Sequence, residues 1–206
     1  MEASRKPMEQ DVKPVILNIG CGYKKFIGGI NVDGYAACEP DILWNLNDTP
    51  FPWDDNSVDH IYAYHVFEHL DNWWEAFREC ARILKPGGQI EIRVPDPSSD
   101  SAIVYRDHVH IIGLFSFDGI GNRLGGRKLN SWAREQDIVP VVLIRYARIP
   151  FAKYNWIPVW ILRYLGRHFR NFIWEQRFLF HKIKVDDWSK VKITGHPDVE
   201  YLKLMK

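Results

Sequence analysis

The sequence predicts an α/β fold built on a doubly wound, mostly parallel sheet. Val15–Ile19 is a near-continuous apolar run, as expected of a parallel strand that is buried on both faces. It leads into Gly20-Cys21-Gly22, and a second short apolar run, Ile30–Val32, leads into Asp33. Further strand-like runs then alternate with a segment of helical periodicity, which is the order of elements in an α/β sheet.

The glycines and the acid at the ends of these two strands predict a nucleoside-containing ligand. Glycine has no Cβ, so a ligand can approach the backbone closely at Gly20 and Gly22. An acidic residue at the tip of the next strand can bind the two hydroxyls of a ribose, a role that falls to Asp33. A turn residue before Gly34 is the alternative for this aspartate, because Asp-Gly favours turns.

The connection between the two strands is too short for a helix. Only ten residues separate Gly22 from Asp33, whereas a crossover between parallel strands normally needs a dozen or more. A turn or an open loop is therefore expected over Tyr23–Gly29. Position 25 is Lys, so the third glycine of the dinucleotide-binding pattern GxGxxG is absent. Both features favour a cofactor without a pyrophosphate.

Three further strands and one helix are predicted downstream. Pro40–Trp44 and Val58–Tyr64 are predicted strands. Trp73–Leu84 has apolar residues at i, i+3 and i+4 spacing, which predicts an amphipathic helix. Lys85–Gly88 ends this helix, because proline disfavours helix before it and glycine permits a reversal. Gln89–Val94 alternates apolar and polar residues and is predicted to be the fifth strand.

Five motifs in this order resemble those of the class I S-adenosylmethionine-dependent methyltransferases. The closest likeness is to the small bacterial type with a shortened first crossover. The motifs are LNIGCG, INVDG, TPFPWDDNSVDHIYAYHVFEHL, RECARILKPGG and IRVPD, and they cover roughly residues 14–118. Each motif alone is weak evidence for this family, but the five motifs in this order are strong evidence for the resemblance. The resemblance implies a Rossmann-like methyltransferase fold, S-adenosyl-L-methionine as the cofactor, and methyl transfer as the activity.

The resemblance also implies which residues bind the cofactor. The glycine motif lies under the methionine part, and Asp33 binds the ribose. Asn45 stands where the family usually has an acid beside the adenine, and Leu46 supplies an amide and an apolar wall. His65 and Val66 line the amino-acid moiety, although His65 is equally well interpreted as a plain strand-end residue. The full predicted set is Asn18, Gly20, Cys21, Gly22, Asp33, Asn45, Leu46, His65 and Val66.

An oxygen acceptor also needs a base to take its proton. The stretch DHVHIIGLFSFDG at 107–119 resembles the family segment that follows the fifth strand, and histidine titrates near neutral pH. His108 and His110 are therefore the candidate catalytic residues, with simple packing in a loop as the alternative for each. Asp96 and Asp107 are further candidates near the strand ends.

No metal site is expected from the spacing of residues. Glu68-His69 is not part of an HExxH motif, and His69 is interpreted as a residue that bonds within its own turn. Beyond His108-x-His110 the histidines show no metal-like pattern. The three cysteines, Cys21, Cys38 and Cys80, have no CxxC spacing, which is typical of reduced thiols in a cytosolic protein.

The C-terminal part needs its own interpretation. Residues 145–184 hold nine Lys or Arg and a single acid, Glu175, and 151–184 is also rich in aromatic side chains. This segment is interpreted as a helical insertion that forms a lid or dimer face with its arginines in water. An anionic membrane surface and nucleic acid are the alternatives. Ile138–Arg145 and Asp198–Met205 are predicted to form a final antiparallel edge pair.

These features define the expected organisation and function. Residues 1–13 are predicted to be a flexible leader without the apolar segment of a signal peptide, and 14–206 a single methyltransferase domain. The expected acceptor is a small molecule, a glycan or a lipid-linked intermediate, because no (N/D)PPY tetrapeptide is present. A net charge of +1 disfavours nucleic acid as a partner. The protein is expected to be cytoplasmic, with 151–184 able to contact the inner face of the membrane. A non-catalytic scaffold with this fold is the alternative, and the oligomeric state stays open.

Overall fold

An eight-stranded sheet organises the chain, in a computed structural model that describes residues 13–117, 138–147, 158–183 and 198–202. The strand order is β3-β2-β1-β4-β5-β7-β6-β8. The strands are β1 (Ile16–Ile19), β2 (Ile30–Asp33), β3 (Ile42–Leu43), β4 (Val58–Tyr64), β5 (Leu84–Pro95), β6 (Ile138–Ala147), β7 (Ile173–Lys182) and β8 (Asp198–Leu202). Among the described strands, β7 alone runs antiparallel to its neighbours, so the predicted mostly parallel sheet is confirmed.

Three α-helices and three short 3-10 turns connect the described strands. The helices are α1 (Trp73–Ile83), α2 (Ser101–Val104) and α3 (Val159–His168), and the 3-10 turns are Ala36–Cys38, Phe67–His69 and Leu114–Phe117. No helix in the described ranges is long and apolar enough to cross a membrane. The predicted leader lies almost entirely outside the described residues.

The core lies between one face of the sheet and α1. Phe77 of α1 is fully buried and its ring centroid lies 5.2 Å from that of Phe180 on β7. On the sheet, Ile61, Ile90 and Ile92 are also fully buried. Complete burial of such a side chain stabilises the fold by about 1.5–3 kcal/mol. The predicted amphipathic helix therefore covers this face, together with Phe117 of the last 3-10 turn, whose ring lies 5.0 Å from that of Phe180.

The helix-to-strand turn after α1 is tighter than the sequence suggests. The helix ends at Ile83, one residue before the predicted end at Leu84, and β5 begins at Leu84 instead of at the predicted Gln89. Leu84 pairs with Val58 before the register shifts. Gly87 has φ +88°. A Cβ at Gly88 would lie 2.8 Å from the carbonyl oxygen of Lys85, so only glycine fits there.

The first crossover contains no helix, as predicted, and an asparagine pair stabilises it instead. Asn18 Nδ2 donates to the carbonyl oxygen of Lys24 and to Asn31 Oδ1, both at 3.0 Å. Asn31 Nδ2 donates in turn to Asp41 Oδ2 at 2.7 Å. Both asparagines are buried, and their paired amides satisfy loop backbone groups that a helix would otherwise satisfy within itself.

Ten residues of the predicted aromatic-basic insertion, Ile173–Lys182, form a strand of the sheet, which corrects the interpretation of 151–184. Helix α3 fits the helical expectation, but β7 lies between β5 and β6, with Phe178 opposite Ile92. Phe178 and Phe180 are buried while Arg177 and His181 are half-buried. This two-residue alternation marks a strand. Residues 151–157 and 184 lie outside the described ranges.

The predicted final edge pair is also corrected. Strands β6 and β8 are neighbours, but they run parallel, with Leu143 opposite Val199. Strand β6 is interior, because β7 lies on its other side. The register shifts between Pro140 and Val142, and this irregularity lets the chain carry a proline, which lacks the N–H of a regular ladder position.

Candidate cofactor and active site

The glycine motif lies at the carboxyl end of β1, closed on one side and open on the other. Gly20 and Gly22 both have positive φ, +61° and +48°. A Cβ at Gly20 would lie 2.2 Å from Cγ2 of Val66, so Val66 packs directly against this backbone. A Cβ at Gly22 would meet no atom of the described residues within 4 Å. The motif therefore has a supporting face and a face that a ligand can approach.

Asp33 bridges the two loops that define the predicted ribose site. Its Oδ2 accepts from the amide of Gly22 at 2.8 Å, and its Oδ1 accepts from the amide of Tyr35 at 2.8 Å. A carboxylate has about four lone-pair sites, so both oxygens keep capacity for hydroxyl donors. The turn role and the ribose role weighed from the sequence are thus compatible.

Asn18 and Cys21, two further residues predicted to bind the cofactor, are both buried. The amide of Asn18 is buried and donates within the first crossover, which makes it a support of the loop. Cys21 is buried, and burial together with the nearby Cys38 and Asp33 raises the pKa of its thiol to about 11. The Cys21 side chain is therefore a neutral thiol at physiological pH.

Asn45 and Leu46 lie at the exit of β3, beside the loop that follows Asp33. A Cβ at Gly34 would lie 3.4 Å from Cα of Asn45. Asn45 is exposed, and its Oδ1 accepts from the amide of Asn47 at 3.1 Å. Leu46 is buried. The predicted adenine-side residues therefore lie next to the predicted ribose-binding acid.

His65 is held between two buried carboxylates at the end of β4. Its Nε2 lies 2.8 Å from Oε2 of Glu175, and its Nδ1 lies 3.3 Å from Oε1 of Glu68. Burial alone lowers the pKa of this imidazole, but the hydrogen bonds to Glu175 and Glu68 outweigh it and raise the pKa to about 9. His65 is a cation at neutral pH, and its φ of +56° is unusual for a non-glycine residue.

Glu175 was not among the residues predicted from the sequence. It lies on β7, a strand that the aromatic-basic interpretation missed, and only 4% of its surface is exposed. Its signal was present in the sequence, because it is the single acid within a segment that carries nine bases. Here the lone acid is the buried hydrogen-bond partner of His65.

The two candidate catalytic histidines differ in their surroundings. The amides of Val109 and His110 both donate to the carbonyl oxygen of Glu68, which fixes their loop over the turn after β4. Nε2 of His110 donates to the carbonyl oxygen of Asp71 at 3.1 Å. The ring of His108 instead lies 4.6 Å from that of His69.

The two candidate aspartates also differ. Asp96 is fully buried and accepts from Arg145 at 2.8 Å, from Gln176 at 2.5 Å and from the hydroxyl of Ser98 at 2.6 Å. This set of donors makes Asp96 a structural carboxylate between β5, β6 and β7. Asp107 is exposed, and its carbonyl oxygen accepts from Nδ1 of His69 at 3.0 Å.

Comparison with known proteins identifies the fold. Residues 36–92 match the methyltransferase domain family. The fold is that of the class I S-adenosylmethionine-dependent methyltransferases. The resemblance predicted from the sequence is thereby confirmed for the fold and for the matched domain, which supports S-adenosylmethionine as the cofactor.

Solved structures share this methyltransferase fold at low sequence identity. A SAM-dependent methyltransferase from Archaeoglobus fulgidus is similar with a TM-score of 0.60 and 15% identity, over 82% of this chain and 86% of that one. The YcgJ protein from Bacillus subtilis is similar with a TM-score of 0.52 and 14% identity, over 84% and 93% of the two chains. No curated protein sequence matches the chain.

Proposed function

We propose that the protein is an S-adenosylmethionine-dependent methyltransferase acting on a small-molecule, glycan or lipid-linked acceptor. The observation that carries the proposal is the cradle at the ends of β1 and β2. There Gly22 faces open space while its amide is bonded to Asp33. The matched methyltransferase domain supports it. So does the shared fold of a phosphoethanolamine N-methyltransferase from Haemonchus contortus, solved with S-adenosyl-L-methionine, at a TM-score of 0.52, 12% identity, and 83% and 49% of the two chains.

The residues of the cradle fit this cofactor. Gly22 leaves room for a ligand against the backbone, whereas Gly20 is packed on its other side by Val66. Asp33 would accept from the ribose hydroxyls, and Asn45 and Leu46 would adjoin the adenine. When bound, S-adenosylmethionine would supply an electrophilic methyl carbon on its sulfonium sulfur, with S-adenosylhomocysteine as the leaving group. The contribution of the chain is to orient both reactants and to exclude water.

The acceptor is proposed to enter beside the turn after β4. His108 is the better placed of the two candidate bases, because Nε2 of His110 already donates to a backbone carbonyl. His65 is kept as a cation by Glu68 and Glu175 and is proposed to shape the site on the cofactor side. Val66, the residue after His65, packs on Gly20 and so connects His65 to the glycine motif.

A release assay tests the activity itself. The full chain, given S-adenosylmethionine and pools of hydroxyl and amine acceptors, is expected to release S-adenosylhomocysteine and to pass label from the methyl group to one pool. The acceptor is then identified by mass spectrometry. Cofactor binding without transfer to any acceptor pool would favour a non-catalytic role for the fold.

We also propose that the protein is cytoplasmic and contacts the inner face of the membrane through α3. Trp160 and Tyr164 on this helix are 70% and 57% exposed, and Phe169 directly after it is 55% exposed. They occur in a segment with nine bases and one acid, a composition that suits an anionic surface. Sedimentation with anionic vesicles at low salt should carry down the wild-type chain but not a Trp160→Ser/Phe169→Ser variant. Equal sedimentation of the two would refute this proposal.

A further inference from the structure

Two segments that are distant in the sequence bring three metal-ligand side chains together beside the turn after β4. Glu68, His69 and His108 each offer one ligand atom, and these atoms lie within 4.8 Å of one another. We refer to them as the Glu68–His69–His108 cluster. The expectation of no metal site rested on sequence spacing, which cannot detect ligands drawn from separate segments.

The cluster contains polar atoms that the described residues leave unsatisfied. Oε2 of Glu68 and Nδ1 of His108 are buried and have no hydrogen-bond partner among those residues. Glu68 is only 1% exposed. A buried carboxylate oxygen without a donor costs free energy and calls for an explanation. A cation bound to the cluster supplies one.

The hydrogen bonds around the cluster orient its members for coordination. Nδ1 of His69 lies 3.0 Å from the carbonyl oxygen of Asp107, which can only accept, so Nδ1 is the donor and Nε2 is the ring nitrogen left for a metal. Histidine ligands in metal sites usually donate their other ring N–H to such an acceptor. Oε1 of Glu68 is occupied by His65 at 3.3 Å, which leaves Oε2 as the free oxygen.

We propose that the Glu68–His69–His108 cluster binds a divalent transition-metal ion such as Zn²⁺. Two imidazoles and one carboxylate form a known ligand set for zinc and for iron(II), and such sites keep open coordination positions. The cluster begins two residues after Val66, which packs on the cofactor loop. On the proposed function, an ion in this cluster would polarise an acceptor hydroxyl at an open position and lower its pKa. His108 would then act as a ligand in place of the base, and the proton would pass to solvent.

Metal titration of the purified full chain, without cofactor or acceptor, tests the proposal. After treatment with chelator, calorimetry with Zn²⁺ is expected to give one ion per chain. His69→Gln and His108→Gln should each weaken binding by more than about 100-fold, beyond the roughly 10–100-fold that loss of an outer partner costs. His168→Gln is the matched control, because this exposed histidine on α3 lies outside the cluster, and it should bind as wild type. Equal binding by all four proteins, or no binding by the wild type, would overturn the proposal.

Co²⁺ substitution keeps the test decisive if a histidine variant fails to fold. A second group, Cys21, Asp33 and Cys38, also has ligand atoms within 4.8 Å of one another, and thiolate ligands produce intense sulfur-to-cobalt charge-transfer absorption. The wild-type Co²⁺ protein is expected to show ligand-field bands of nitrogen and oxygen donors without that absorption. A sulfur charge-transfer band would place the ion on the cysteines and contradict the proposal. Because neither measurement involves methyl transfer, their failure is separable from failure of the proposed function.

Discussion

Single residues at the ends of the strands decide whether the cofactor site can form. Gly20 and Asp33 were both predicted from their positions after apolar runs, because a glycine or an acid at a strand end has a local signature. Glu175 was not, because its importance depends on pairing with His65, a residue far away in the sequence. The local sequence pattern therefore predicts the glycine and the acid of the cofactor site, but not a distant residue such as Glu175 that pairs with a neighbour of that site.

Gly20→Ala and Gly28→Ala form a matched pair that tests the packing of the glycine motif. Both glycines have positive φ, where an L-residue costs about 1–2 kcal/mol. At Gly20 the new methyl also meets Val66, whereas at Gly28 no described atom lies within 4 Å. Such overpacking adds about 1–3 kcal/mol. Urea unfolding should therefore show a clearly larger loss of stability for Gly20→Ala. Equal losses would mean that Val66 moves aside without cost.

At the scale of elements, Arg82 joins α1 to the loop that precedes β4. Its guanidinium donates to the carbonyl oxygens of Phe51 and Trp53 at 3.1 and 2.9 Å, and to Glu79 at 2.7 Å. The sequence predicted the helix and the loop but not this link, because one arginine on an amphipathic helix has no local signal that distinguishes it from a solvated one.

Arg82→Lys should destabilise the fold by about 2 kcal/mol, because an ammonium cannot reproduce the planar fork and leaves carbonyl groups unpaired. Arg78→Lys is the control on the same helix. Arg78 forms a half-exposed i,i+3 pair with Glu75 at 3.3 Å, a kind of pair worth at most about 1 kcal/mol. Thermal unfolding of both variants measures the difference in stability. A loss of stability for Arg82→Lys that is no larger than for Arg78→Lys would show that Arg82 does not anchor the loop to α1.

Glu79 makes this link dependent on pH. Burial raises the pKa of its carboxyl, but the hydrogen bonds from Arg82 and from the amide of Phe51 outweigh it and lower the pKa below 4.5. Its stabilising effect is therefore complete above 4.5 and is lost as the pH falls through the lower pKa of the folded state. The stability advantage of wild type over Glu79→Gln should be constant near neutral pH and shrink on acidification. An advantage that grows on acidification would contradict the assigned sign.

For the whole molecule, the succession of β1 to β5 along the chain was predicted from the sequence, because each of these strands has its own periodicity and turn signals. In the C-terminal half, the strands that became β6 and β8 were predicted, but β7 and the parallel pairing of β6 with β8 were not. The strand β7 pairs with β5 across a long stretch of chain, and its aromatic and basic residues also suit a helical surface. Only the sheet reveals that Phe178 and Phe180 belong to the core and that Glu175 belongs to the site.

Calorimetric titration of S-adenosylmethionine into wild type, Asp33→Ala and Asp54→Ala tests the cofactor cradle most directly. Wild type and Asp54→Ala, which changes an exposed loop residue, are expected to bind one cofactor per chain with equal affinity. Asp33→Ala should bind roughly 100-fold more weakly, because two hydrogen bonds to a charged acceptor are lost at about 1.5 kcal/mol or more each. Absence of binding by the wild type, or an Asp33→Ala affinity equal to that of wild type, would contradict the assignment of the site.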